Sequence, residues 1–284
     1  MKFKKTLELF IILTILILIA RVTDNLAAHN IDSKLEKENN KIIGADSFYY
    51  NINSTKSILL LHGFASNPYS LIELGNFLSS RGYNVYAPLL SGHGTSAFDL
   101  EKYSWKDWQD ESEKAYLFLE ENSEEVYIVG VSMGGNLALN IAKKHNPKKI
   151  IIINTPYELK TKFVDFIPII SLVQKYHIKS FFSDQEDSEV LKNIKIYPVI
   201  SMKSISDILE LIKYTRTNLN QVIEPILIIQ SDKDTLVDPV SSYMFYKEIN
   251  SKQKKLLILK DSTHIKFSEE DKDILKKGLE KELG

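Results

Sequence analysis

The sequence predicts an α/β protein: one mostly parallel central sheet with helices on both faces. Short apolar runs at 57–61, 126–131, 149–153, 225–230 and 255–260 have the pattern of strands buried on both sides. Segments of helical period separate several of them, and strands alternating with helices imply right-handed parallel crossovers. At the third observation the two patterns meet. The run Val126-Tyr127-Ile128-Val129 leads into Gly130-Val131-Ser132-Met133-Gly134-Gly135 and then Asn136-Leu137-Ala138-Leu139, a strand, a tight turn and a helix.

The bulk numbers bound this reading. A chain of 284 residues holds one large domain with an insertion, and 36 basic against 37 acidic residues leave no nucleic-acid footprint. There is no cysteine, which excludes a disulfide framework, a thiolate nucleophile and Cys-ligated metal.

Taken in order, the chain opens with Lys2, Lys4 and Lys5 before an apolar run from Leu9 to Ala20, interrupted by Thr14 and closed by Arg21. A positive segment before an apolar run of that length reads as an export signal, shorter than the about 20 residues of a membrane span. Residues 1–21 are therefore a signal peptide or an uncleaved membrane anchor, and with the lysines inside, either fate puts the remainder outside the cytoplasm. Residues 22–46 read as a polar linker, and 47–284 as the folded domain. Phe48-Tyr49-Tyr50 reads as an edge strand, 69–81 as a helix closed by Gly82, 84–88 as a strand, 104–121 as an amphipathic helix and 271–283 as the closing helix. Between about 156 and 224 the alternation lapses. Phe163, Val164, Phe166, Ile167, Ile169, Ile170, Leu172 and Val173, followed by a helical segment over 204–217, read as a helical cap above the carboxyl end of the sheet.

That end is where an open parallel sheet collects its functional groups. The glycines at 130 and 134 leave room for a strained turn that lifts the Ser132 hydroxyl clear, and the next helix aims its positive end there. Ser132 is the candidate nucleophile. A serine needs a base and an orienting acid, and the order Ser, Asp, His along the chain is the one this architecture uses. His264 follows the last strand. Among Asp232, Asp234 and Asp238, which follow the strand at 225–230, Asp234 has the loop position best able to turn toward the histidine, with Asp232 in reserve. Oxyanion donors would be the backbone N–H groups of Met133 and of Phe64, after the early strand. His62 and His93 read as structural, and no histidine spacing suggests a metal site.

Leu61-His62-Gly63-Phe64, Gly82-Tyr83-Asn84-Val85-Tyr86-Ala87-Pro88, Ser91-Gly92-His93-Gly94-Thr95, Trp105-Lys106-Asp107-Trp108 and Gly130-Val131-Ser132-Met133-Gly134-Gly135 together resemble the α/β-hydrolase family of bacterial carboxylesterases and monoacylglycerol lipases. The resemblance runs from about Phe48 to the C-terminus. It implies an eight-stranded-type α/β-hydrolase core, a small cap, no cofactor, and short to medium acyl esters or monoacylglycerols as substrates. It matches Ser132, Asp234 and His264 to the family's triad, and Phe64 and Met133 to its oxyanion donors. Two departures stand out: Gln230-Ser231 replaces the family's common His-Gly or Gln-Gly, and the N-terminal segment is absent from the usual cytoplasmic esterases. The expected partner is a small ester or lipid, with no nucleic acid, and with membrane association through the N-terminal segment. The competing readings are a thioesterase or peptidase on the same triad, and a non-catalytic surface binding protein on a hydrolase scaffold.

Overall fold

The computed structural model describes residues 2–160, 166–178 and 198–283. Its centre is a seven-stranded sheet in the order β11-β10-β7-β6-β4-β5-β3. The strands are β3 (Phe48–Tyr50), β4 (Lys56–Leu61), β5 (Asn84–Ala87), β6 (Glu125–Val131), β7 (Lys149–Ile153), β10 (Ile226–Ser231) and β11 (Lys254–Leu259). All neighbours run parallel except β3, which pairs antiparallel with β5 at one edge.

Strand alternation divides the core in two. Leu59, Leu61, Ile128, Ile150, Ile152, Ile226 and Ile228 face one side, where α4 (Trp105–Glu121), α5 (Met133–Ala142), α7 (Met202–Arg216) and α8 (Val240–Glu248) pack. Ile58, Leu60, Tyr127, Val129, Ile151, Ile153, Leu227 and Ile229 face the other, under α2 (Ile72–Ser80) and α9 (Glu269–Leu283). Period-two side-chain placement puts consecutive apolar residues on opposite faces, so the continuous apolar runs require cover on both sides. Burying each such Ile or Leu contributes about 1.5–3 kcal/mol relative to exposure.

The structure departs from the sequence expectations in four places. Among the described residues the sheet has seven strands where the resemblance implies eight, and the segment before Phe48 pairs with itself. Strands β1 (Lys37–Glu38) and β2 (Lys41–Ile42) form a hairpin whose two turn residues, Asn39 and Asn40, both have positive φ, 51° and 64°. That is the conformation a two-residue hairpin loop demands, and asparagine tolerates it better than most residues. Second, residues 22–46, expected as a polar linker, carry ordered elements of their own. Helix α1 (Lys2–Asp32) continues through Ala28, which is fully buried, and Ile42 and Ala45 join the main core, with the Ile42 N–H donating to the Gly94 carbonyl at 2.8 Å.

The other two departures concern the insertion. Residues 161–165 and 179–197, including the expected cap residues Phe163 and Val164, lie outside the described residues. Its described part contains α6 (Ile167–Val173) and a short antiparallel pair, β8 (Tyr176–Ile178) with β9 (Val199–Ser201), which the sequence reading lacked. The helical segment expected in the cap is α7, and it belongs to the domain body. Its stripe of Ile208, Leu211, Ile212 and Thr215, at helical spacing, is buried, and the three apolar members lie in the core cluster that also holds Leu137 and Ile141 of α5.

Candidate active site

The site begins with a backbone that only glycines permit. Ser132 holds φ 54° and ψ −119°, an unfavourable conformation for a residue with a side chain, fixed by its N–H donating to Ile153 O at 2.8 Å and its carbonyl accepting from Gly135 N at 2.9 Å. A Cβ on Gly134 would lie 2.2 Å from Leu61 O, one on Gly130 would lie 2.3 Å from Gly134 O, and one on Gly135 would meet Thr155 Oγ1 at 1.8 Å. These close approaches press the start of α5 against the ends of β4 and β6 and project Ser132 from the turn.

His264 and Asp234 arrive from the loops after β11 and β10. The two nitrogens of His264 face different partners: Nδ1 lies 2.7 Å from Asp234 Oδ2 and Nε2 lies 3.1 Å from Ser132 Oγ. A carboxylate accepts only, so Nδ1–H donates to Asp234, and Nε2 is left to accept from the Ser132 hydroxyl. Asp234 is fully buried, and its Oδ1 accepts from the N–H groups of Leu236 at 2.9 Å and Val237 at 2.8 Å, which aims Oδ2 at the imidazole. Asp232 is exposed, and Asp238 turns its Oδ1 to the Val240 N–H at 3.0 Å, next to the start of α8. Of the three aspartates, the structure brings Asp234 to His264.

Met133 is the first residue of α5, next to Ser132, so its N–H has no intrahelical acceptor. The loop bearing Phe64 reaches the same place, since a Cβ added to Gly63 would lie 3.3 Å from Ser132 Cβ and 3.9 Å from its Oγ. His62 anchors that loop. Its Nδ1 lies 2.9 Å from Gly63 O and its Nε2 accepts from Leu90 N–H at 3.3 Å, which ties the end of β4 to the segment after β5. Burial pushes the His62 imidazole down to about 4, against a smaller opposing effect of the Gly63 carbonyl, so it stays neutral where Nε2 must accept. His93 packs edge-on to His62 and Trp108, each ring centre 5.0 Å away, within the same support.

Two functional neighbours escaped the sequence reading. Asn154, directly after β7 and at φ 49°, accepts from Ser231 N–H at 2.8 Å through Oδ1, while its Nδ2 donates to Ser231 Oγ at 3.1 Å and His264 O at 3.2 Å. It fastens the histidine loop to two strands. Asp271 at the start of α9 accepts from Asp261 N–H at 2.8 Å and Ser262 Oγ at 2.7 Å, holding that loop from the other side. Burial alone would raise the Asp271 carboxyl, but its hydrogen bonds from Ser262, from the backbone and from Ser268 outweigh that and hold it below the ordinary range. A signal for Asn154 was present in the sequence, as an amide directly after a run of four isoleucines, but only the fold gives it partners. Among the described residues no cluster of histidine and carboxylate side chains could hold a metal ion.

Residues 53–271 match the model of the serine aminopeptidase S33 family. The chain belongs to that hydrolase family. It is 29% identical over 234 residues to a thermostable monoacylglycerol lipase of Bacillus sp. (strain H-257), covering 82% of this chain and 91% of the relative. It is 27% identical over 221 residues to a carboxylesterase of Bacillus subtilis (strain 168), covering 78% and 89%. Among solved structures, one described with two metagenome-derived lipolytic enzymes superimposes with a TM-score of 0.76 at 27% identity, over 84% of this chain and 97% of that one. A soluble variant of monoglyceride lipase from Saccharomyces cerevisiae shares the fold, with a TM-score of 0.69 at 18% identity over 84% and 89% of the two chains. The expected α/β-hydrolase fold and family are thus both found.

Two outcomes test this architecture. Gly134→Ala drives a methyl group into the Leu61 carbonyl, and should lower stability by at least about 1–3 kcal/mol in chemical denaturation. Asp271 contributes stability above its unfolded pKa of about 3.9 and loses it as pH falls through its lower folded value. Denaturation midpoints should therefore drop below about pH 4 in the wild type, and drop less steeply in Asp271→Asn.

Proposed function

We propose that the protein is a serine ester hydrolase that cleaves short to medium acyl esters or monoacylglycerols through an acyl-enzyme on Ser132. The observation that carries this is the continuous relay from Ser132 Oγ to His264 Nε2, 3.1 Å, and from His264 Nδ1 to Asp234 Oδ2, 2.7 Å, at a strained strand-to-helix turn.

The chemistry follows from the atoms. Ser132 Oγ attacks the ester carbonyl as His264 Nε2 takes its proton, and Asp234 holds the imidazole in the required tautomer and stabilises its charged form. The carbonyl oxygen becomes an oxyanion between the N–H groups of Phe64 and Met133, whose fixed dipoles favour that charge more than the neutral substrate. Collapse breaks the bond to the alcohol, which leaves with the proton from His264. Water then repeats the sequence on the acyl-enzyme, releasing the acid and restoring Ser132. This chain's own residues supply every proton transfer, and the reading includes no cofactor.

The choice of ester over peptide is supported by the monoacylglycerol lipase and carboxylesterase that align with most of the chain. The family's description as serine aminopeptidases makes amide substrates the comparison to run. The apolar part of the insertion around α6 acts as the cap under which the acyl chain binds, each buried methylene contributing about 0.8 kcal/mol. Helix α1, which is long and apolar enough to cross a membrane, serves as an export segment or anchor and places the domain outside the cytoplasm.

Turnover of a p-nitrophenyl ester series of increasing acyl length, set beside aminoacyl p-nitroanilides, tests the substrate class. Esters should be cleaved and anilides should not; the reverse result would replace the esterase reading with a peptidase. Ser132→Ala should lower ester turnover by at least ~1,000-fold and abolish labelling by a fluorophosphonate. Asn154→Ala, by loosening the His264 loop, should lower kcat about 10- to 100-fold with KM little changed, as measured by steady-state kinetics.

A further inference from the structure

Helix α1 is joined to the cap by a polar latch at one depth. Arg21 donates from Nε to Leu172 O at 3.0 Å and from Nη2 to Ser171 O at 2.7 Å. Three residues later, Asp24 Oδ2 accepts from the backbone N–H groups of Lys175 at 2.8 Å and Tyr176 at 2.6 Å. Arg21 thus takes carbonyls of the last turn of α6, which a helix leaves without internal partners, and places its charge at the helix's negative end. One turn on, Ala28 is buried in a cluster with Ala97, Tyr176 and Val199, and His29 lies 3.9 Å from Phe98 between ring centres. Ala97 belongs to α3 (Ala97–Leu100), in the connection leaving the carboxyl end of β5, so the latch lies at the end of the sheet that carries Ser132.

Two apolar surfaces meet at this latch. On α1, Leu9, Phe10, Ile12, Leu13, Leu16 and Ile19 are all exposed, and from Lys5 to Asp24 the helix rises about 28 Å. A bilayer's hydrocarbon core is about 30 Å thick. On α6, Ile167 faces inward while Phe166, Ile169, Leu172 and Val173 are 54%, 64%, 61% and 45% exposed, on one side of the helix. Such a patch on a folded domain marks an interaction surface. Because the latch sets α6 beside the outer end of the apolar run of α1, a bilayer that surrounds α1 would bring its surface to the level of α6.

We propose that α6 lies on the outer leaflet of the bilayer that α1 crosses, held there by Arg21 and Asp24, so that the site takes its acyl ester substrate from the lipid surface. The docking rests on α1 being retained as a membrane helix, and only the identity of the substrate rests on the esterase reading. The cap is then an interfacial element of the type that buries an apolar face at the headgroup boundary.

The absence of cysteine allows single labels anywhere on the full-length chain. Ile169→Cys and Leu172→Cys, each carrying the environment-sensitive dye NBD, would be reconstituted in phosphatidylcholine and phosphatidylglycerol vesicles. Lys281→Cys, exposed near the C-terminal end of α9, serves as the water-facing control. The two α6 labels should be blue-shifted and quenched by doxyl-labelled lipid several times more strongly than the control. Adding Arg21→Ala and Asp24→Ala should leave the protein floating with vesicles but reduce quenching at position 169. These latch changes should also slow hydrolysis of vesicle-borne monoacylglycerol while leaving turnover of a soluble p-nitrophenyl ester unchanged.

A protein that floats with vesicles while iodide quenches its α6 labels as readily as the control would overturn the docking and leave the esterase reading intact. A full-length chain that does not float at all would overturn the docking together with the anchor. Ester turnover without fluorophosphonate labelling of Ser132 would overturn the nucleophile alone.

Discussion

The structure depends on how closely two backbones approach at one point. Where α5 leaves β6, Gly134 lies so near the end of β4 that a single methyl group would overlap Leu61 O, 2.2 Å from the added carbon. That approach holds Ser132 in a conformation costing of order 1–3 kcal/mol, which persists because the surrounding sheet over-determines it. It also brings the start of α5 and the loop through Gly63 to the same side of the hydroxyl. The placement of Ser132, and of the Met133 and Gly63 backbone beside it, thus follows from one packing contact between β4, β6 and α5.

Around that point the polar groups are arranged by pairing rather than by exposure. His62 is fully buried, neutral and committed at both nitrogens, while Asp234 is fully buried with one oxygen given to two backbone N–H groups. Unpaired, either would carry a desolvation penalty of several kcal/mol. Asn154 and Asp271 hold the histidine loop from opposite sides through backbone and hydroxyl groups. The imidazole is therefore positioned by its neighbours before any substrate arrives.

Much of this was legible in the sequence, for identifiable reasons. The strands at the centre of the sheet announced themselves because burial on both faces requires unbroken apolar runs, and the turn at Ser132 because close backbone approach requires glycine. Asp234 could be preferred over Asp232 and Asp238 from loop position alone, and the structure turns it to His264. The partners of Asn154 were not legible, since Ser231 and His264 are 77 and 110 residues away. Ile42 and Ala45 were hidden within a charged stretch, and the Asn39-Asn40 turn lacks the glycine that usually flags a hairpin. The stripe on α7 was visible, but period alone does not say whether a helix packs on the body or on the cap.

The relay joins residues far apart in the chain, with Ser132 and His264 separated by 132 positions. Contacts of such separation are late to form, because the loop they close must be ordered first. His264 also follows the last strand, β11, which lies at the edge of the sheet and pairs only with β10 among the described strands. A chain made from its N-terminus therefore presents Ser132 long before His264 can approach it. The contact between them forms only once β11 has joined the sheet.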